Sequence, residues 1–303
     1  MMIACVTGGR GLVGRHIVSL LLAAGYQVRV LVRSMPAEPV AGVEYYLGNL
    51  SDRASLSAFL ASGKMLFHCA AELNDTALME LVNVQGTKNL AQVYNELDFD
   101  YFCFISSAGV VGFTDKSVVM ESDICRPRNP YEASKLAAEA LLREVVSTDS
   151  LVMLRPTNVV DNQKPGLLRE SLQSGFYSKL KFFLKGSESA HLVHAHDVAR
   201  AALSFIDTPR RGECYFVSRD EDPENYVLKV RRLVRAGALN ATSSVLIALP
   251  AIVPYWIRCL LLKKSNRGDV VYSSKKLEST GFTYVYSVGE MVRDFLTAQS
   301  VKS

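Results

Sequence analysis

The apolar residues of this chain fall into two alternating patterns. Short, mostly apolar runs, at 3–6, 26–32, 43–47, 65–69, 101–105 and 151–154, read as strands, the first of them buried. Between them stand stretches with helical spacing. The first is built on Leu12, Val13, Ile17, Leu20, Leu21 and Leu22; others cover 53–61, 76–96 and a long segment from Pro130-Tyr131. Strands alternating with helices imply an α/β fold, a doubly wound parallel sheet covered by helices on both faces.

The second half is less regular. Residues 162–175 are polar and read as loop, 191–199 lead into a helix through Phe205, and 213–217 read as a returning strand. Asp220-Glu221-Asp222-Pro223 reads as a solvated acidic turn, and Gly281-Phe282 as a helix stop in a mainly helical C-terminal third. The expected division is a sheet domain over 1–160 plus roughly 195–218. A smaller, mostly helical substrate lobe covers 161–194 and 219–303, closing over the carboxyl ends of the strands, where such sheets bind ligands.

Composition narrows the classes. The 303 residues are 49% hydrophobic and 21% charged, an ordinary globular balance with room for a large core. A net charge of +4 without a polybasic tract gives no footing for nucleic acid. Cys5, Cys69, Cys103, Cys125, Cys214 and Cys259 are widely spaced, with no CxxC and no zinc spacing. They read as reduced core hydrophobes, with no metal site, and no leader-like segment precedes the first strand; both imply a cytoplasmic protein. Residues 245–262 are mostly apolar and long enough to span a bilayer, but Pro250 and Pro254 interrupt them. Arg258 would cost about 2.5–3.5 kcal/mol at the midplane. A buried or dimer-forming helix pair is the favoured expectation. Membrane contact, helped by Lys263, Lys264 and Arg267, is the lesser one.

Candidate chemistry begins where the first strand meets the first helix. Gly8, Gly11 and Gly14 lie three apart at that junction. A strand turning sharply into a helix needs residues without a Cβ, and a pyrophosphate must approach the backbone closely there. The helix N-terminus offers that anion N–H groups and a positive dipole end.

Further on, Tyr131 and Lys135 stand four apart on a helix, hence on one face, and Ser107 follows the fifth strand. Tyr–Lys pairs at this spacing are common on surfaces; their position after the fifth strand of a glycine-turn sheet gives this one weight. An ordinary phenol has a pKa near 10. A lysine cation about 5 Å away, at an effective dielectric of about 20, favours the phenolate by roughly 3 kcal/mol, or about two pK units. Tyr131 is thus expected to exchange a proton with a substrate hydroxyl.

Eight motifs, in order, resemble the extended short-chain dehydrogenase/reductases, the NAD(P)-dependent epimerase/dehydratase family. They are Thr7-Gly8-x-x-Gly11-x-x-Gly14, Gly48-Asn49-Leu50-x-Asp52, His68-Cys69-Ala70-Ala71 and Asn83-Val84-x-Gly86-Thr87-x-Asn89-Leu90 in the first hundred residues. Ser106-Ser107-Ala108-Gly109-Val110-Val111-Gly112, Tyr131-x-x-x-Lys135, Arg155-Pro156-x-Asn158-Val159 and His194-x-x-Asp197-Val198-Ala199 follow. The resemblance covers nearly the whole chain and implies a Rossmann sheet. It assigns Ser107, Tyr131 and Lys135 as catalytic. It places the dinucleotide on Gly8, Arg10, Gly11, Leu12, Val13, Gly14, Arg33, Asn49, Leu50, Ala70, Ala71, Asn83, Tyr131, Lys135, Pro156 and Val159. Substrate would meet Ser107, Asn158 and Arg267, while His194 and Asp197 would start a helix. Asn49 stands where the family often has Asp contacting the adenine amino group, a bond its carbonyl can still accept. Val160-Asp161 replaces the usual Tyr-Gly.

Arg33 takes the place, after the second strand, where an acidic residue would hold the ribose of NAD. A guanidinium pairs with a 2′-phosphate, which favours NADP(H), with Arg10 as a second clamp and NAD(H) as the alternative. Ala108-Gly109 stand where dehydratases of the family carry Asp-Glu, which argues against elimination. The expected activity is an NADP(H)-dependent oxidoreductase reducing the 4-keto group of a nucleotide-linked deoxysugar, in a homodimer formed through two paired helices per subunit. The alternatives are an NAD-dependent nucleotide-sugar 4-epimerase and a hydroxysteroid or dihydroflavonol type of dehydrogenase/reductase. A non-catalytic dinucleotide sensor ranks last, because the Ser/Tyr/Lys set is intact.

Overall fold

The computed structural model describes residues 2–208, 212–239, 247–262 and 266–300. In chain order it forms β1 (Ile3–Thr7), α1 (Gly14–Ala23), β2 (Gln27–Val32), β3 (Val43–Leu47), α2 (Arg53–Leu60), β4 (Met65–His68) and α3 (Thr76–Met79). A π-helical turn, Glu80–Gln85, runs into α4 (Gly86–Asn95), followed by β5 (Tyr101–Ile105), a 3-10 turn at Ala108–Val111, β6 (Val118–Val119), α5 (Pro130–Val145) and β7 (Leu151–Pro156). Then come β8 (Asn158–Val160), α6 (Leu167–Leu172), α7 (Phe176–Lys185), β9 (Leu192–His194), α8 (Ala195–Leu203) and β10 (Cys214–Val217). The chain closes with α9 (Val227–Leu239), α10 (Ile252–Leu262), β11 (Val271–Tyr272), α11 (Lys275–Glu278) and α12 (Val288–Ser300).

Seven strands form the main sheet in the order β10-β7-β5-β4-β1-β2-β3, and the pairings from β3 through to β7 are all parallel. Strand order reverses between β1 and β4, the switch point at which such sheets bind ligands. The central strands are apolar on both faces because helices cover both: every residue of β4 and of β5 is buried, whereas edge strand β3 is only partly so. Leu56, Phe59, Leu66, Phe102, Met153 and Leu142 pack into a core built by the sheet, α2 and α5.

Packing divides the chain into two units: 1–112 with 125–156 and 198–215, and 113–124 with 157–197 and 216–303. Segment 113–124 thus goes with the second unit, because β6 pairs with β11. The second unit has its own core, including Val160, Leu192, Val234, Met291 and Phe295.

Three local expectations change. The stretch 162–175 contains α6, which buries Leu168 and Ser171. The acidic turn is not solvated: Asp220 accepts from the Tyr272 N–H and pairs with His191, and Asp222 accepts from the Val288 N–H. Residues 247–262 are not a buried helix pair; α10 leaves Trp256 at 60% and Leu260 at 82% exposure. Val245, Lys263 and Lys264 lie outside the described residues. Among the described residues no helix is long and apolar enough to cross a membrane, and no cluster of side chains could hold a metal ion.

Candidate active site

The turn after β1 is shaped by backbone crowding. Gly8 has φ +66°, and a Cβ there would stand 2.6 Å from the Ala70 nitrogen; at Gly14 a Cβ would stand 2.2 Å from the Gly8 oxygen. The Gly11 N–H closes the turn on that same oxygen at 2.8 Å. Arg10 and Gly11 are exposed, Leu12 is half-buried, and buried Val13 opens α1, whose first turn holds no acidic side chain. This turn, drawn so tight that glycine is needed at 8 and 14, and facing a positive helix end, fits the pyrophosphate of a dinucleotide.

A buried relay fixes the floor of the turn. The Ala70 N–H donates to Thr7 Oγ1 at 3.3 Å, and Thr7 Oγ1 lies 2.6 Å from His68 Nδ1. His68 Nε2 lies 2.9 Å from Thr87 Oγ1, whose proton goes to the Asn83 carbonyl at 2.6 Å. Thr87 therefore accepts from His68 Nε2–H, and His68 Nδ1 accepts from Thr7. Burial, aided by the charge of Lys135, pushes the imidazole down to about 3, so it stays neutral. The sequence motif contains His68, but only the contacts reveal this role.

Asn83 and Asn49 both find protein partners. Asn83 accepts from the Glu72 N–H at 2.7 Å and donates to the Glu72 carbonyl and to Ser134 Oγ, each at 2.9 Å. Ser134 in turn donates to the Tyr131 carbonyl at 2.8 Å. The Asn83 carboxamide ties the loop after Ala70-Ala71 to the helix bearing Tyr131. It does so from a π-helical turn, a device common at functional sites. The Asn49 oxygen already accepts from the Ser51 N–H at 2.8 Å and from the Ser51 hydroxyl, so it is engaged where an adenine bond was expected. Leu50 packs its side chain beneath Gly86. Arg33 is exposed directly after β2, and its charge reaches Glu72. The N–H groups of Leu73, Asn74 and Asp75 all donate to that carboxylate.

Tyr131 is placed by the start of α5. Asn129 caps the Glu132 N–H at 2.9 Å, Pro130 fills the first helical position, and Glu132 reaches back to the Arg128 N–H at 2.7 Å. Ser107 heads the 3-10 turn, its Oγ accepting from the Gly109 N–H at 3.1 Å, and Gly109 packs on Glu132. Lys135 lies buried with Nζ 4.0 Å from the centre of the Phe104 ring of β5. All three catalytic candidates thus depend on the contact of β5 and its following turn with α5. Beneath them, Glu139 accepts from Ser106 Oγ at 2.6 Å and takes a bidentate pair from Arg155 at 2.9 and 2.7 Å. Pro156 follows Arg155 and ends β7, buried.

The electrostatics run against the sequence expectation. Burial first, then the charge of Glu132, pushes the Tyr131 phenol up to about 12, and Lys135 does not offset this. Burial pulls Lys135 itself down to about 8, against the raising fields of Cys69 and Glu139. Burial and Glu132 both act against the phenolate, so in the dinucleotide-free protein Tyr131 is protonated at neutral pH. The Lys135 amine is expected to titrate near 8 instead of 10.5 in the dinucleotide-free protein, followed by nitrogen NMR of the labelled side chain. Its folded pKa is depressed, so the unfolded chain binds more protons between those values and stability rises with pH across that window. A midpoint at 10.5 would show the site to be hydrated.

Asn158, Val159 and Arg267 belong to the second unit. Asn158 is exposed, donating its amide to the Ala190 carbonyl at 2.9 Å, and Val159 pairs with Val193 between β8 and β9. Arg267 forms a bidentate pair with Asp269 at 2.9 and 2.8 Å, which occupies the guanidinium expected on a substrate phosphate. Asp161 accepts from the N–H groups of Gln163 and Lys164, both at 2.9 Å, and so closes its own loop. Buried Asp197 receives the Val285 and Tyr286 N–H groups at 2.9 Å, and His194 stacks on Tyr286; both are structural, though Asp197 ties down the segment leading into α12 instead of capping its own helix.

A switch-point sheet carrying this glycine turn and this Ser/Tyr/Lys set is that of an NAD(P)-dependent short-chain dehydrogenase/reductase. The chain belongs to the NAD dependent epimerase/dehydratase family, whose profile matches residues 4–218. Sterol-4-alpha-carboxylate 3-dehydrogenase, decarboxylating, of Bos taurus is 27% identical over 233 residues, 71% of this chain and 65% of that protein, so just under two thirds of its length is matched. Sterol demethylase protein B of Methylococcus capsulatus is 29% identical over 230 residues, 72% of this chain and 70% of that one. A 4-hydroxy-2-methyl-3-oxo-4-farnesyl-3,4-dihydroquinoline-1-oxide ketoreductase of Stigmatella aurantiaca is 26% identical over 223 residues, 70% and 67% of the two chains. Among solved structures, a Burkholderia cenocepacia putative epimerase superposes with TM-score 0.78 at 24% identity over 99% and 98% of the chains. The Bordetella bronchiseptica enzyme WbmH, in complex with NAD+, does so with 0.77 at 18% identity over 99% of each. These structural likenesses show the fold.

Proposed function

We propose that this protein interconverts a ketone and a secondary alcohol on a lipophilic ring-bearing substrate, using NADP(H). The observation that carries the reaction is the Ser107, Tyr131 and Lys135 set gathered by β5, its following turn and α5, in a sheet whose glycine turn fits a dinucleotide. A dinucleotide whose pyrophosphate lay on that turn would supply or accept the hydride through its nicotinamide. Tyr131 donates the proton to the carbonyl oxygen. Ser107, whose Oγ already accepts from Gly109, keeps its own proton to hydrogen-bond that oxygen. Two things support a lipophilic substrate over a nucleotide-linked deoxysugar. The sequence relatives are named for sterol carboxylates and a farnesylated quinoline, and Arg267 is paired with Asp269.

The cofactor preference rests on Arg33, an exposed guanidinium directly after β2 in the place where NAD-binding sheets carry an acid. Titration should show NADP+ binding more tightly than NAD+. Arg33→Ala should weaken NADP+ by roughly 10- to 100-fold, the worth of a charge-assisted contact, with little change for NAD+. Tighter NAD+ binding, indifferent to Arg33→Ala, overturns the preference. For the substrate, turnover of a 3-ketosteroid is compared with that of a nucleotide-linked 4-ketohexose; activity on the second alone overturns the lipophilic reading.

A further inference from the structure

Two helices of the second unit turn apolar faces outward. On α7, Phe176, Tyr177, Leu180, Phe183 and Leu184 are 38–86% exposed, while Phe182 alone is buried, beneath the guanidinium of Arg231. At 3.6 residues per turn those five side chains form one stripe about 120° wide. Lys179 and Lys181 border it on either side, Lys181 paired with Glu170 of α6, Lys185 follows, and α7 itself contains no acidic residue. On α10, Ile252, Val253, Trp256, Ile257, Leu260 and Leu261 are 37–82% exposed, again at i, i+4, i+8 spacing, and this helix too lacks an acid. The helices are joined: the Leu249 N–H, leading into α10, donates to the Phe183 carbonyl at 2.9 Å, and Arg258 of α10 pairs with Glu188, just beyond α7. In sequence, α10 continues into Lys263-Lys264.

A water-facing stripe of Phe, Tyr, Trp and Leu flanked by lysines is the reverse of a soluble helix. It matches what a helix needs to lie in a bilayer interface: apolar side chains entering the acyl boundary, aromatic rings at headgroup level, and lysines reaching anionic phosphates. With 11 residues, α10 is about half of what crossing would take, so it can lie in the surface but not span it. We propose that α7 and α10 together dock the protein onto an anionic lipid surface. This goes beyond the substrate reading and stands without it, because lipid binding is measured in the absence of turnover.

The chain contains one tryptophan, Trp256, so its own fluorescence reports on α10. Full-length protein is mixed with vesicles of phosphatidylcholine containing 30% phosphatidylglycerol, and with pure phosphatidylcholine. Flotation with the anionic vesicles and a blue shift of Trp256 are expected. Leu260→Asp/Leu261→Asp should reduce partitioning at least about tenfold, and Lys179→Ala or Lys185→Ala about fivefold each, with dinucleotide binding retained as the check on folding. Absence of both flotation and shift overturns the proposal. So does a blue shift without lipid that rises with protein concentration, accompanies a doubled mass in light scattering and disappears in Leu260→Asp/Leu261→Asp, since a second copy then covers the face.

Discussion

Tyr131→Phe is expected to lower kcat by about 10²- to 10⁴-fold while dinucleotide affinity stays within about twofold. The change removes one oxygen and leaves the ring in place, so what is lost is the proton that must reach the carbonyl oxygen. A thousandfold loss corresponds to about 4 kcal/mol of transition-state stabilisation. Because burial and Glu132 hold the phenol up to about 12, ketone reduction needs no prior ionisation of Tyr131. Its rate should carry no tyrosine limb across roughly pH 6–10, whereas alcohol oxidation, which needs the phenolate, should climb with pH over the same range. Steady-state rates in both directions check this. Turnover above a tenth of wild type in Tyr131→Phe would mean that another group moves the proton.

Patterning made the scaffold legible, and contact chemistry remained hidden. Unbroken apolar runs identify strands buried on both faces, and glycines between a strand and a helix identify the turn, since each depends on neighbours close in sequence. The direction of the Tyr131 shift depends instead on how dry the phenol becomes, and spacing along a helix carries no information about that. The motif around Asn83 carries no sign that its amide holds Ser134, 51 residues away. The partner of Asn49 is local: Ser51 lies only two residues on and folds the side chain back on its own loop. The acidic turn at 220–223 likewise reads as surface because its partners, at Tyr272 and Val288, come from 52 and 66 residues further along. Dense charge in sequence therefore says little about exposure when distant backbone N–H groups can satisfy it.

The largest stability effect is expected at Arg155. Its guanidinium and the Glu139 carboxylate are 2% and 0% exposed, and Ser106 at 3% completes the cluster, so water can replace none of the partners. Burial alone would weaken the hold of Arg155 on its proton, but the hydrogen bonds and charge of Glu139 outweigh it and raise the pKa. Arg155→Met keeps the apolar stem of the side chain, removes the guanidinium and strands the carboxylate; Arg143, 3.5 Å away and 41% exposed, is a weak substitute. The expected loss is about 3–5 kcal/mol, a large share of a stability of about 5–15 kcal/mol. Replacing both members, Arg155→Met with Glu139→Leu, should recover much of it, because an apolar pair leaves no buried charge behind. Denaturant titration of the two single variants and the double variant measures this coupling. The cluster also anchors the end of β5 to α5, one residue from Ser107, so kcat of the double variant should fall while its dinucleotide affinity holds. A double variant no more stable than Arg155→Met alone would show that the cost comes from lost packing and not from an orphaned charge.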